Sequence, residues 1–253
     1  FQGPAETICT ACAAATHAIG AAARQIAWGS CDSVVTGGAE SAATITALAG
    51  FANMTALSTT LVSKPFDATR DGFIMGEGAA VFVLERYDLA VERGATILAE
   101  VVGAASNADA HHITAPSPGG AGAVRCMQLA LDDAGLQPGD IKQINAHGTS
   151  TPLNDAAESE AIAKLFGESR PPVVSIKGVT GHPLGAAGAL EAAAVLLSME
   201  KRLIPPTRGT TQIDPAMSID VVIGDPRPWT PGPTISNKDR KSTRLNSSHV
   251  ALS

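Results

Sequence analysis

The feature that most constrains the fold is a repeated alternation of short β-branched segments with alanine-rich segments of helical periodicity. The predicted strands are "ETICTA" (6–11), "DSVVTGG" (32–38), "GEGAAVFVLE" (76–85), "TILAEVVGAASNAD" (96–109), "IKQIN" (141–145) and "PVVSIK" (172–177). The predicted helices include "ACAAATHAIGAAARQIAWG" (11–29), "ATITALAGFANMTAL" (43–57) and "AVRCMQLALDDAG" (123–135). Strands that alternate with helices in this way predict an α/β fold with a mostly parallel sheet.

Composition narrows the functional classes. The chain has 253 residues with 45% apolar content, which suffices for the core of one large or two small domains. Its net charge of −6 argues against nonspecific binding to nucleic acid, which requires a basic surface. The longest apolar run, "GAAGALEAAAVLLSM", is interrupted by Glu191 and is too short to cross a bilayer. We therefore expect a cytoplasmic protein without nucleic-acid or membrane partners.

Two cysteines, Cys9 and Cys12, form a C-x-x-C whose chemistry the residues alone leave open. A zinc site would need further paired ligands, and no second C-x-x-C or H-x-x-x-H occurs. A redox pair at a helix start and two packing cysteines remain as alternatives. The third is a single nucleophile at Cys12, because a thiol where a strand turns into a helix meets unpaired N–H groups and the positive helix dipole, which favour thiolate.

Three further polar side chains follow predicted strands. His147 comes two residues after "IKQIN", Lys177 ends the next predicted strand, and His182 follows after a short turn. Functional groups collect at the carboxyl ends of strands in an open α/β sheet. The sequence therefore predicts that these residues and Cys12 form one site.

Four ordered motifs carry a family resemblance. They are "TACAAATHAIG" (10–20), "PFDATRDGFIMGEGA" (65–79), "NAHGTSTPLND" (145–155) and "KGVTGHPLGAAGALE" (177–191). Together they resemble the β-ketoacyl-[acyl-carrier-protein] synthases, most closely the synthase II type, from about residue 1 to residue 237. This resemblance implies a thiolase-like α/β fold with duplicated βαβ halves in an αβαβα layered sandwich. It also implies a homodimer in the full-length parent.

The same resemblance divides the chain. Residues 1–92 match the remaining part of the first thiolase-like half, which carries the nucleophile, and residues 93–237 match the second half, which carries the His and Lys residues. Residues 238–253 are polar, basic and aperiodic, and we expect a disordered tail of non-native origin there.

The resemblance implies roles for individual residues. Cys12 matches the acyl-accepting nucleophile, and His147 and His182 match the two histidines of a Cys-His-His triad. Lys177 matches the lysine of the K-x-x-x-G-H segment.

Other positions match residues that surround this triad in the family. Glu158 and Glu191 match acidic residues near the lysine. Four residues match positions that contact the substrate: Thr114, Thr149 and Thr151 along the phosphopantetheine channel, and Phe51 in the acyl pocket.

By this resemblance the chain functions in decarboxylative Claisen condensation of an acyl thioester with a malonyl thioester. The implied partners are acyl carrier protein and the acyl and malonyl thioesters, and no cofactor is implied beyond the phosphopantetheine that the carrier brings. A non-decarboxylating thiolase, a non-catalytic partner subunit and an inactive fragment are the alternatives.

The chain also departs from the family pattern. It lacks the family's amino-terminal region, and where relatives continue "NSFGFGG" it has "NKDRKST" (237–243). Thr55 stands where some relatives have a carrier-docking arginine.

Overall fold

A computed structural model describes residues 2–108, 110, 117–238 and 247–252. The helices are α1 (Ala14–Ala27), α2 (Ile45–Asn53), α3 (Tyr87–Glu92), α4 (Ala121–Ala134), α5 (Pro152–Phe166), α6 (Lys177–Thr180) and α7 (Ala187–Lys201). The strands are β1 (Ser33–Glu40), β2 (Gly78–Glu85), β3 (Val101–Asn107), β4 (Gln143–Asn145), β5 (Val173–Val174), β6 (Leu203–Ile204), β7 (Arg227–Pro228), β8 (Thr234–Lys238) and β9 (Ser247–Leu252).

Two sheets organise most of these elements, and β6 and β7 form a separate antiparallel pair. β1 and β2 pair antiparallel over their full length, and five strands form a second sheet in the order β3-β9-β8-β4-β5. In the second sheet β8, β4 and β5 are parallel, whereas β3, β9 and β8 are antiparallel. The prediction of a mostly parallel sheet is therefore wrong. The chain between β8 and β9 is too short for the crossover of about a dozen residues that a parallel pair needs.

The layers alternate between sheet and helix. Helices α1 and α7 contact both sheets and each other, so they lie between the sheets, while α4 and α5 cover the outer face of the five-stranded sheet. The described part thus contains four layers, in the order β-α-β-α. Buried apolar residues from α4, α5 and the five-stranded sheet form the largest core cluster, which includes Met127, Leu131, Ile144, Ile162, Val173 and Ile235.

Small residues let the central helices pack closely. A Cβ at Gly188, at the start of α7, would lie 2.1 Å from Thr16 Oγ1 on α1. A Cβ at Gly20 would lie 2.9 Å from the Cβ of Ala104 on β3. Glycines therefore let α1 approach α7 closely on one side and β3 on another.

Two predicted segments differ from the structure. Residues 6–10 of "ETICTA" belong to neither helix nor strand, because no described strand lies beside them to complete a ladder. The disordered tail predicted over 238–253 is wrong for Ser247–Leu252, which form β9 between β3 and β8. A strand with a partner on each side satisfies its backbone hydrogen bonds whatever its apolar pattern, and the pattern alone could not indicate this.

Among the residues that the structure describes, no helix combines the length and the apolar character needed to cross a membrane.

Candidate active site

Cys12 lies in a 3₁₀ turn, Ala11–Ala13, that leads directly into α1. Ala11 has a φ of +48°, in the left-handed region that residues other than glycine seldom adopt. No side chain caps the start of either helix. The half-buried thiol therefore stands at the positive end of the α1 dipole, next to a strained residue of the kind that clusters at functional sites.

Two histidines meet at this thiol. His182 Nε2 lies 3.1 Å from Cys12 Sγ. The ring of His147 packs edge-to-face against the ring of His182, with centroids 5.3 Å apart and planes at 83°. Both imidazoles are buried, with 5% of His147 and 3% of His182 exposed. The structure thus brings together three of the four residues that were predicted to share a site.

Lys177, the first residue of α6, is fully buried behind the histidines. Its Nζ donates a hydrogen bond to His147 O at 2.5 Å and forms an ion pair with Glu191 of α7. Burial lowers the pKa of Lys177 from 10.5 to about 8. The charges of nearby acidic groups limit this fall, and Glu158 has the largest effect among them. Lys177 is therefore mostly cationic at neutral pH and is fixed to the backbone of a histidine.

The two predicted acidic residues do different things. Glu191 pairs with Lys177, whereas Glu158 of α5 accepts the backbone N–H groups of His147 and Gly148 through its two oxygens, both at 2.7 Å. Asn237 Nδ2 also donates to Glu158 at 3.0 Å. Glu158 therefore fixes the backbone of the His147 loop, and Glu191 balances the buried ammonium group.

The loop after His147 carries the two predicted threonines. Thr149 and Thr151 are buried, and their hydroxyl oxygens are 2.9 Å apart. Gly148 has a φ of +39°, and a Cβ there would lie 2.6 Å from Ser175 Cβ, so the tight turn requires glycine. Thr114, also predicted to bind substrate, lies outside the described residues.

An aromatic pair extends the site away from the thiol. Phe51 on α2 packs edge-to-face on Phe73, with centroids 5.3 Å apart, and Phe73 packs in the same way on His182 at 5.2 Å. Phe73 is not among the individually predicted residues. Phe73 lies in the motif "DGFIMGEG", which marks the segment as part of the family pattern. The motif does not predict which rings Phe73 contacts.

A second lysine enters the same buried cluster. The side chain of Lys238, the last residue of β8, is fully buried, contacts Glu191 and donates to Asn237 O at 2.5 Å. Burial, and next the charge of Lys177, hold the pKa of Lys238 well below its ordinary value. The sequence departs from the family pattern at this position, but it does not predict that the amine shares a carboxylate with Lys177.

Asp155 anchors the loops around the site. Its Oδ2 accepts hydrogen bonds from Phe66 N at 2.8 Å and Ser150 N at 3.1 Å. Arg70 Nε is 3.9 Å from the same oxygen. Burial raises the pKa of Asp155 to about 6; the charge of Glu158 adds to the rise, while hydrogen bonds and Arg70 oppose it.

The remaining cysteines have simpler environments. Cys9 is an exposed free thiol, and Cys126 is buried in a small cluster with Ala105 and Ala130. In the described ranges no group of three or more His, Cys, Asp or Glu side chains is placed to hold a metal ion.

A β-α-β-α sandwich in which a cysteine at a helix start faces two histidines defines the class: this is a thiolase-fold protein. Two family models match the chain, "Beta-ketoacyl synthase, N-terminal domain" over residues 1–90 and "Beta-ketoacyl synthase, C-terminal domain" over residues 98–211. The chain belongs to the β-ketoacyl synthase family. The predicted family and fold class are therefore confirmed.

Curated relatives agree with this assignment. The chain is 45% identical over 227 residues to 3-oxoacyl-[acyl-carrier-protein] synthase 2 of Staphylococcus aureus, with 87% of this chain and 56% of the relative aligned. It is 44% identical over 230 residues to the protein of the same name in Vibrio cholerae, covering 88% of this chain and 56% of the relative. The chain thus spans about half the length of these relatives.

Solved structures show the same architecture. A β-ketoacyl synthase from Burkholderia phymatum has a TM-score of 0.90 and 43% identity, covering 95% of this chain and 59% of that one. A type II polyketide ketosynthase, solved in complex with its acyl-carrier protein and bound to a hexaketide, has a TM-score of 0.94 and 33% identity. That match covers 98% of this chain and 62% of the ketosynthase.

Proposed function

We propose that this chain functions in decarboxylative Claisen condensation of an acyl thioester with malonyl-[acyl-carrier-protein], which elongates a fatty-acid or polyketide chain. The observation that carries the proposal is the 3.1 Å approach of His182 Nε2 to Cys12 Sγ, with His147 packed on the same imidazole. Relatives named 3-oxoacyl-[acyl-carrier-protein] synthase 2 support the reaction, and the ketosynthase solved with its carrier supports the partner.

In the first half-reaction Cys12 acts as the nucleophile. Its thiolate attacks the carbonyl carbon of the acyl thioester, and backbone N–H groups at the start of α1 are suitably placed to stabilise the oxyanion. The C–S bond to the carrier then breaks, the carrier leaves as a thiol after taking up a proton, and the acyl group remains on Cys12.

In the second half-reaction the malonyl thioester loses carbon dioxide, and the electron pair of the broken C–C bond forms an enolate. Its carbon attacks the acyl group on Cys12, so that a new C–C bond forms and the Cys12 thiolate leaves. His147 and His182, as neutral imidazoles, donate N–H hydrogen bonds to the enolate oxygen. Removing one such donor typically costs about 2.7–4 kcal/mol in the barrier.

Lys177 and the two glutamates support the histidines. A cationic Lys177, held on His147 O, disfavours a second positive charge on the nearby imidazoles and so keeps them neutral donors. Glu191 balances that charge, and Glu158 fixes the His147 backbone.

Three other predicted residues receive substrate roles in this proposal. Thr149 and Thr151 bind the phosphopantetheine arm through their paired hydroxyls, and Phe51 lines the acyl pocket. The role predicted for Thr114 at the mouth of the same channel stays a prediction, because this residue lies outside the described residues. The proposed reaction needs no metal or redox cofactor. The phosphopantetheine is part of the substrate, because it arrives on the carrier protein. A homodimeric parent in the cytoplasm completes the proposal.

The two half-reactions can be tested separately. Release of carbon dioxide from malonyl-[acyl-carrier-protein] and acylation of Cys12 should be measured for the full chain and for His147→Ala and His182→Ala. We expect both variants to lose decarboxylation by at least about 100-fold while some acylation of Cys12 survives. Decarboxylation at the unsubstituted rate would refute the histidine roles, and activity on acetyl rather than malonyl donors would favour a thiolase.

A further inference from the structure

The turn that follows His182 is fastened to the end of β1 by one carboxylate. Glu40, the last residue of β1, accepts a hydrogen bond through Oε2 from the backbone N–H of Gly185 at 3.0 Å. Gly185 lies in the 3₁₀ turn Leu184–Ala186, which joins His182 to α7. A hydrogen bond to an ionised carboxylate is roughly twice as strong as one between neutral groups, so this contact is a strong attachment for a short turn.

The turn needs an attachment of this kind. Leu184 has a φ of +37°, in the left-handed region that is unfavourable for leucine, and Gly181 before His182 has a φ of +65°. Strained backbone of this kind persists only where surrounding contacts fix it. On one side the backbone of His182 is held by Ile74 and Gly76, through hydrogen bonds of 2.7 and 3.1 Å. Glu40 supplies the contact on the other side.

The same end of β1 also touches the Cys12 segment. A Cβ at Gly38 would lie 2.6 Å from the Cβ of Ala15 on α1 and 3.0 Å from Gly185 O. A Cβ at Gly185 would lie 3.1 Å from Glu40 Oε2 and 3.9 Å from Ala11 O. The segment with the thiol, the segment with the imidazole and the end of β1 therefore meet with no space for intervening side chains.

We propose that Glu40 is a positioning residue. By holding the Gly185 turn against the end of β1, it fixes the approach of His182 Nε2 to Cys12 Sγ. It acts through the backbone of the turn and takes no part in the chemical steps. This inference rests on the proposed function only in requiring that Cys12 and His182 act together.

The test measures the second-order rate constant for alkylation of Cys12 by iodoacetamide, quantified by peptide mass spectrometry. Glu40→Ala should lower this rate constant about tenfold, the effect of losing one hydrogen bond to a charged group. Glu40→Gln should stay within about twofold of the unsubstituted chain, because an amide oxygen still accepts from Gly185 N. Glu40→Asp, one methylene shorter, should behave like Glu40→Ala.

A double-mutant cycle separates positioning from general destabilisation. In a His182→Ala background, Glu40→Ala should cause no further loss of alkylation, since the imidazole that it positions is already absent. The matched control is Glu77→Ala. Glu77 accepts hydrogen bonds from Ser41 Oγ at 3.1 Å and Ala43 N at 3.0 Å, on the segment that follows Glu40. In Glu77→Ala, the rate constant for alkylation of Cys12 should equal that of the unsubstituted chain.

Three results would overturn the inference. They are an undiminished rate in Glu40→Ala, an equal loss in the His182→Ala background, and equal rates for Glu40→Gln and Glu40→Asp. The last comparison remains decisive should Glu40→Ala not fold. Because alkylation requires no carrier protein, a chain that shows the expected pattern but lacks condensation would contradict the proposed function alone.

Discussion

Asp155→Asn isolates the energetic effect of burying a carboxylate beside the site. The substitution keeps an oxygen that can accept from Phe66 N and Ser150 N, and it removes only the titration and the weak attraction of Arg70 at 3.9 Å. Arg70 retains its ion pair with Asp214 at 2.7 Å. Asn154, which donates to Asp155 Oδ1, can rotate its amide to accept instead.

The magnitude follows from the raised pKa of Asp155. A shift from 3.8 to about 6 means that the folded chain binds more protons than the unfolded chain between these values. The contribution of Asp155 to the free energy of unfolding therefore falls as pH rises through this window, by about 3 kcal/mol in total. The amide does not titrate. Between about pH 4 and about pH 8, the free energy of unfolding of Asp155→Asn should therefore rise by about 3 kcal/mol relative to that of the unsubstituted chain.

Urea unfolding followed by far-UV circular dichroism measures this difference across the pH range. The matched control is Asp225→Asn, which removes an exposed carboxylate and reports the effect of one surface charge. A difference between Asp155→Asn and the unsubstituted chain that stays constant with pH would refute the reasoning, because it would mean that Asp155 ionises equally in both states.

Other substitutions test the buried network and the helix packing. Glu158→Gln should lower the free energy of unfolding by about 2–3 kcal/mol, because an amide N–H₂ would face one of the two backbone N–H groups that Glu158 accepts; an unchanged urea midpoint would contradict this. Lys238→Ser should raise the stability at neutral pH, because the unfolded lysine is protonated there while burial opposes protonation in the fold. As pH rises towards about 10, the unsubstituted chain should therefore gain stability relative to this variant, as measured by thermal unfolding. A difference in stability between the two chains that does not change with pH would count against the account. Gly188→Ala should destabilise strongly because its Cβ would lie 2.1 Å from Thr16 Oγ1, whereas Gly50→Ala in α2 meets nothing within 4 Å and should stabilise by up to about 1 kcal/mol. Equal melting temperatures for these two variants would show that α1 and α7 do not pack as described.

The sequence predicts the convergence of the two histidines because both follow parallel strands and so lie at the same edge of the sheet. Cys12 lies at the start of α1, and the strand predicted before it does not form, so its place at the same site depends on how α1 packs. The motifs identify the family for the same reason, since each one contains a turn and the side chain that it presents.

The sequence does not predict which side chain meets which. Glu158 and Glu191 both lie on helices near Lys177, and only the rotation of α5 and α7 in the packed fold decides that Glu191 pairs with it. Glu40 follows the two glycines of "TGGAE", yet its partner is 145 residues away along the chain. Contacts of this range depend on packing between layers, which local patterns do not encode.

The prediction of strands fails where pairing rather than pattern decides. The segment "ETICTA" has β-branched residues but no described neighbour, whereas Ser247–Leu252 pair on both sides despite a polar sequence. Strand formation depends on a hydrogen-bonded partner, and the partner is a property of the whole sheet.

The central claim is that Cys12 is the nucleophile that faces His182. Its most direct test is to incubate the chain with a stoichiometric acyl thioester and locate the acyl group by peptide mass spectrometry. We predict one acyl group on Cys12 and none on the exposed thiol of Cys9, with the modification absent in Cys12→Ala. An acyl group on Cys9, or an oxidised Cys9–Cys12 pair in place of an acylated cysteine, would contradict the account.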